Sequence, residues 1–163
     1  MAKIERIGFD PKAPNDPELQ TDIINVSAAV GANGVNYKDD VIVVQALLKY
    51  SLERHPKFKD VELPEPTGAF IGATARLIKK YQRYQTRDGQ DVAIDGRIDP
   101  IKGGVFAYGT KKWWTLYALN VEAIRPTILE GHTSPIKAIC DRWSIVKTIL
   151  EKNGVGSLNL ALE

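Results

Sequence analysis

The chain has 163 residues, 44% of them hydrophobic and 26% charged, with 22 Lys and Arg against 20 Asp and Glu. That length suits one domain with extensions, and the apolar share is enough for a packed core, which excludes global disorder. The 13 glycines follow no period, so a fibrous chain is excluded, and the single Cys140 excludes an internal disulfide framework.

Residues 1–25 read as an extended N-terminal arm. Pro11, Pro14 and Pro17 interrupt any regular element, and Ile4, Ile7 and Phe9 are its candidate anchors. A short apolar segment over 23–26 leads into a small-residue turn at 30–36, where Asn33-Gly34 signals reversal because glycine tolerates positive φ. The first helix is predicted over 38–54. Asp39 and Asp40 lie in its first turn, Val41, Val44, Leu47, Leu48 and Leu52 form its stripe, and Pro56 ends it. A loop over 56–69 follows. The second helix is predicted from about Thr74 to Gln85, with Ala73, Leu77, Ile78 and Tyr81 facing inward and Arg76, Lys79, Lys80 and Arg83 outward.

Asp95-Gly96, flanked by Val92, Ile94 and Ile98, predicts a small hairpin. Thr110 is the expected cap of a third helix over 111–123, closed by Pro126, and Ser134 the cap of a fourth over 135–153. The fourth carries the stripe Ile136, Ile139, Cys140, Trp143, Val146, Ile149 and Leu150, and Gly154 and Gly156 stop it. The tail 157–163 alternates in the manner of a docked strand. The expected class is mainly α: an arm over 1–25, a helical domain over 26–125, and a C-terminal extension over 126–163 packed on the same core.

Several short motifs occur in an order that resembles the peptidoglycan-binding-like domain family. Asp40-Val41-x-x-Val44-Gln45-x-Leu47-Leu48 resembles its first helix, and Thr74-x-x-x-Ile78-x-x-Tyr81-Gln82 its second. Ile94 through Pro100 is similar to the family's linker, Thr110 through Leu116 to its third helix, and the stretch from Val30 to Asn36 to versions at the front of some secreted bacterial toxins. The resemblance covers about residues 26–120. It implies a three-helix core and non-catalytic binding of cell-wall peptidoglycan, within a bacterial secretion or phage-related system. Two features depart from the family. Thr67–Gly72 lacks the usual Asp-Gly, and the connection through Leu63-Pro64-Glu65-Pro66 is long. The alternative is a structural or protein-interaction module on the same fold, with a protein partner at the C-terminal helix.

The catalytic inventory is thin, and no enzyme is expected. His55 and His132 read as cap or solvent histidines, Cys140 as a buried thiol, and Asp88, Asp91, Asp95 and Asp99 as turn carboxylates, some paired with Arg. No metal or other cofactor is expected. Residues 76–112 carry 9 basic and 4 acidic groups, a surface able to attract phosphates of nucleic acid or wall polymers. Near-zero charge over the whole chain and the absence of a base-reading motif argue against nucleic acid. For a glycan, the candidate ligand groups are Tyr81, Gln82, Gln85, Arg76, Lys80 and Trp114, with Trp113 as the alternative ring, since rings cover a sugar's apolar face while amides meet its hydroxyls. No run is long enough to insert in a membrane, and the first residues lack a signal-peptide middle. The expected route is cytoplasmic synthesis, with export, if any, independent of such a signal.

Overall fold

The computed structural model describes residues 2–8, 20–89, 91–107 and 110–153. It is mostly helical, with two small antiparallel sheets. The expected arm over 1–25 instead supplies both strands of one of these sheets. Lys3–Gly8 (β1) pairs antiparallel with Gln20–Asn25 (β2), placing Ile4 opposite Ile24 and Arg6 opposite Asp22. Opposite charges facing across a ladder favour this register, and Arg6 Nε lies 2.8 Å from Asp22 Oδ1. Ile4 and Ile7 are buried anchors. Phe9 and the three prolines of the arm lie outside the described residues, as do Tyr108, Gly154, Gly156 and the 157–163 tail.

The first helix spans Lys38–Leu52 (α1). Its stripe understates its burial, because α1 touches β3 (Val30–Gly31) and four later helices, α3 (Thr115–Glu122), α4 (Ile124–Leu129), α5 (Pro135–Arg142) and α6 (Ser144–Asn153). Only Lys38, Asp39 and Lys49 of α1 escape full burial. Asp40, wholly buried, accepts from Ser27 N–H, Ser27 Oγ–H and Ala28 N–H at 2.8–3.2 Å. Pro56 opens a 3₁₀ turn, Pro56–Phe58, capped by His55 Nδ1 accepting the Lys57 N–H.

The second helix is Gly72–Arg87 (α2), one turn longer than its stripe suggests and without a side-chain cap. Thr74 is buried inside it rather than capping it. The Asp95-Gly96 turn forms with Gly96 at φ +75°, but its strand finds a distant partner. Arg97–Ile98 (β4) pairs with β3, Val30 opposite Ile98 and Gly31 opposite Arg97, so no local hairpin forms. In the 30–36 turn it is Asn33 that takes φ +58°; Gly34 is required by space, since a Cβ there would sit 2.5 Å from the Ala29 carbonyl oxygen.

The C-terminal half corrects three expectations. Helix three begins at Thr115, because Trp113 is held in an extended bridge to Val92 and Phe106. Thr110 caps a turn there, its Oγ accepting from Lys112 N–H at 3.1 Å. Pro126 does not close the segment. It lies in the first turn of α4, where its missing N–H deprives no helical bond. The long fourth helix is two, α5 and α6, broken at the extended Trp143, whose carbonyl accepts from Val146 N–H at 3.0 Å. α5 packs on α1 and α4 while α6 packs on α1 and β1, and one straight rod does not follow both surfaces. Ser134 caps α5 as expected, accepting the Lys137 N–H at 3.2 Å. A single apolar cluster draws residues from all three sequence segments, Ile4 and Ile24, Leu47 and Ile78, Ile139 and Leu150 among them.

Candidate functional site

The six candidate ligand residues do not meet at one place. Tyr81, Gln82 and Gln85 are buried, at 0, 0 and 2% exposure, and face the core rather than a ligand. Gln85 Nε2 donates to Tyr81 Oη at 2.7 Å and to Glu122 Oε2 at 3.1 Å. Burial, reinforced by Glu122, holds the Tyr81 phenol well above the usual tyrosine range. These groups are core because α2 is packed on one side by the 3₁₀ turn and on the other by the loop leading to β4: Phe58 touches Tyr81, and Gln82 binds Asp95. Arg76 and Lys80 lie on the opposite, exposed face. Trp114, half-buried, borders a cleft with polar walls that none of the other five lines.

That cleft has a volume of about 130 Å³ and lies between the segment 110–115 and the loop 93–99. Trp113 and Trp114 stand beside Thr110, Lys112 and Thr115 in one wall; Asp95, Arg97 and Asp99 furnish the other. Gln82 fixes both walls from beneath. The two protons on its Nε2 are shared among Asp95 Oδ1 at 3.0 Å, Arg97 O at 2.9 Å and Thr115 Oγ1 at 3.1 Å. Its Oε1 accepts from Asp95 N–H at 3.1 Å and Gly96 N–H at 2.8 Å. An irregular loop leaves peptide groups without ladder partners, and a buried amide offers both donor and acceptor to them. Gln45 of α1 treats Thr67, Gly68 and Ala69 in the same way.

The tryptophan wall is equally tied. Trp113 N–H donates to Asp91 O at 2.8 Å and Trp114 N–H to Val105 O at 3.2 Å. The Trp113 ring lies 4.9 Å from that of Tyr117. Across the cleft Arg97 Nε lies 2.9 Å from Asp99 Oδ1, with both side chains about a third exposed. By distance this is an ion pair, although Arg97 Nε is buried and lacks a hydrogen bond of acceptable angle. Two tryptophans, two aspartates, an arginine, a lysine and two threonines in one lining make an amphipathic slot. It is smaller than the roughly 300 Å³ of a drug-sized site, so it suits one ring or one short polar group. Asp95, Asp99 and Arg97 are legible in the sequence only as turn residues. The signal that joins them to the tryptophans is the Gln82 bridge, which links positions 13 to 33 residues apart.

Other reactive groups are closed off. His55 is 6% exposed, with Nε2 3.0 Å from Tyr84 Oη and 3.5 Å from Glu122 Oε1, and the cavity beside it is about 10 Å³. Burial, with Asp141 adding to it, pushes the Cys140 thiol up to about 11, so the thiolate is scarce at neutral pH. His132 lies 3.5 Å from Glu130 on the surface. No group of three or more His, Cys, Asp or Glu among the described residues is placed to hold a metal ion. No helix among them is long and apolar enough to cross a membrane.

A larger cavity, about 260 Å³, opens between β2 and the α3–α5 segment. Its wall is mainly apolar, with Val121, Ile124, Ile128 and Ile136, and its Asn120 amide is already committed to both backbone groups of Ile24. Comparison with known proteins returns nothing: no family model, no curated protein and no solved structure matches the chain.

Proposed function

We propose that the protein is a non-catalytic module that holds bacterial cell-wall glycan in the cleft beneath Trp113 and Trp114. The observation that carries this reading is the pairing of those two indoles with Asp95, Asp99, Arg97 and Lys112 across one slot. Rings cover the apolar face of a sugar, and charged or hydroxyl groups at the rim meet its hydroxyls and the carboxylates of attached peptides. The family resemblance over residues 26–120 supports it, since α1, α2 and α3 follow one another in the order that resemblance implies. The closed surroundings of His55 and the raised thiol pKa of Cys140 support the non-catalytic part. Retention of the full chain on intact sacculi tests the reading. The expected result is retention at low and high salt, weakened by Asp99→Asn with Lys112→Ala; release at high salt would reduce the interaction to general charge attraction and refute it.

A second reading, contact with another protein through the C-terminal helices, is favoured by one observation. Ile124 and Ile128 of α4, 42 and 70% exposed, line the 260 Å³ cavity, and Leu129, next in the chain, is 62% exposed, so three neighbouring apolar residues stand open to solvent. Failure on sacculi together with a stable protein complex lost on Ile128→Ser would move the assignment there.

A further inference from the structure

The outward face of α2 is a linear array of cations that the glycan cleft does not use. Arg76, Lys79, Lys80, Arg83 and Arg87 are all exposed. At about 100° per residue they fall within an arc of roughly 100°, and Arg76, Lys80, Arg83 and Arg87 succeed one another at about 6, 4.5 and 6 Å along the axis. The helix Gly72–Arg87 contains no Asp or Glu. None of the five cations has an ion-pair partner among the described residues, whereas Lys49, Arg54, Arg97, Lys137, Arg142 and Lys147 all do. A solvated helix face ordinarily intersperses both signs at i, i+4 spacing, which lowers self-repulsion. This one forgoes that relief over its whole length. Beside it runs a shallow groove of about 170 Å³ lined by Val61, Glu62, Ala73, Arg76, Leu77 and Lys80.

We propose that this face binds a linear polyanion of the phosphodiester class, specifically a polyol-phosphate chain of the kind that accompanies cell-wall glycan. A single small anion needs donors that converge, and these diverge along a line. A single-stranded nucleic acid is held by rings on which its bases stack, and a chain of near-zero net charge without a base-reading motif is a poor match to a duplex. The aromatic residues of α2 turn away instead: Tyr81 is fully buried, and Tyr84 Oη is held 3.0 Å from His55 Nε2. Phe58 is buried beneath Lys80, whose Nζ lies 5.8 Å from the ring centroid. What remains is charge in a row without stacking platforms, which matches a flexible backbone bearing regularly spaced phosphates and no bases. The cation row is separate from the tryptophan cleft, while the choice of a wall polymer rests on the cell-wall reading above.

The test measures binding of the full chain to short poly(glycerol phosphate) by fluorescence anisotropy over a series of salt concentrations, with oligothymidylate and neutral dextran as comparison ligands. The expected result is binding to poly(glycerol phosphate) but not dextran. Log K should fall against log salt with a slope of about −3, near −0.7 for each of four or five phosphates contacted. Lys80→Gln with Arg83→Gln should weaken binding about tenfold. Lys147→Gln with Lys152→Gln, the same charge removed from α6, should change it less than twofold. Far-UV circular dichroism checks that each variant is folded, and Arg76→Gln with Arg87→Gln is a second pair on the same exposed face. Equal weakening by the α2 and α6 pairs, or no binding at low salt, overturns the proposal. Tighter binding of oligothymidylate than of poly(glycerol phosphate) also overturns it, assigning the strip to nucleic acid. Loss with Asp99→Asn and Lys112→Ala, but not with the α2 pairs, would place the anion in the cleft and overturn it as well.

Discussion

Replacing Gln82 by alanine removes the amide that joins the two walls of the tryptophan cleft. Five contacts of 2.8–3.1 Å are lost. Formed hydrogen bonds are worth about 1 kcal/mol each net, but buried groups left without a partner cost more. Asp95 is exposed and its groups can rehydrate, whereas Gly96 and Thr115 are buried and cannot readily do so. Two orphaned buried groups at about 1–3 kcal/mol each, with the void left by the side chain, give a loss of about 3–5 kcal/mol. Against a domain stability of roughly 5–15 kcal/mol the variant should still fold, with its urea midpoint lowered by about 2 M at unchanged slope. Hydrogen exchange makes the test local: the Gly96 amide should lose protection while the Gly68 amide, held 3.0 Å from Gln45 Oε1, keeps it. A loss below about 1 kcal/mol, or a Gly96 amide as protected as before, would refute the bridging role of Gln82.

Gly31→Ala should prevent folding or cost more than about 4 kcal/mol by thermal melt, because a Cβ at φ +124° would lie 2.3 Å from the Gly96 carbonyl oxygen, a backbone atom that cannot swing aside. Ser134→Ala removes the α5 cap and should cost about 1 kcal/mol by urea denaturation, with Ser134→Asp restoring most of it. Cys140 should resist an aromatic disulfide reagent at pH 8 in the native chain and react at once in denaturant. Its folded pKa is raised from the ordinary 9.0 to about 11, and burial raises Tyr117 from 10.0 to about 12. The folded state therefore favours the protonated forms, so this stability is complete below pH 9 and is lost as pH rises through 11 and 12. A midpoint that stays flat from pH 9 to 12 would contradict it.

Residues that signal through short-range periodicity are legible in the sequence; those that act through a distant partner are not. The α1 stripe, the outward cations of α2 and the Ser134 cap all follow from spacing of three or four residues. Legibility ends where tertiary contact overrides local pattern. Trp113 fits a helix but is drawn into extended bridges with Val92 and Phe106. Ile98 suits a hairpin but pairs with Val30, 68 positions earlier in the chain. Tyr81, Gln82 and Gln85 carry surface chemistry by type, yet their spacing belongs to the same inward stripe as Leu77 and Ile78, and that stripe decides their burial. Trp114 reads from the sequence as a single ring; its neighbours Asp95, Arg97 and Asp99 join it only because Gln82 spans both segments.

The central claim, that wall glycan occupies the tryptophan cleft, is tested most directly by the indole N–H signals of the three tryptophans in a nitrogen-15 proton spectrum. Trp113 and Trp114 line the cleft, and Trp143 stands apart at the α5–α6 break, where the Arg142 guanidinium lies 4.3 Å from its ring centroid. On titration with soluble muropeptide at high salt, occupancy of the cleft predicts saturable shifts of the Trp113 and Trp114 signals and a stationary Trp143. Unmoved Trp113 and Trp114 signals at saturating ligand, or a shift confined to Trp143, would contradict it.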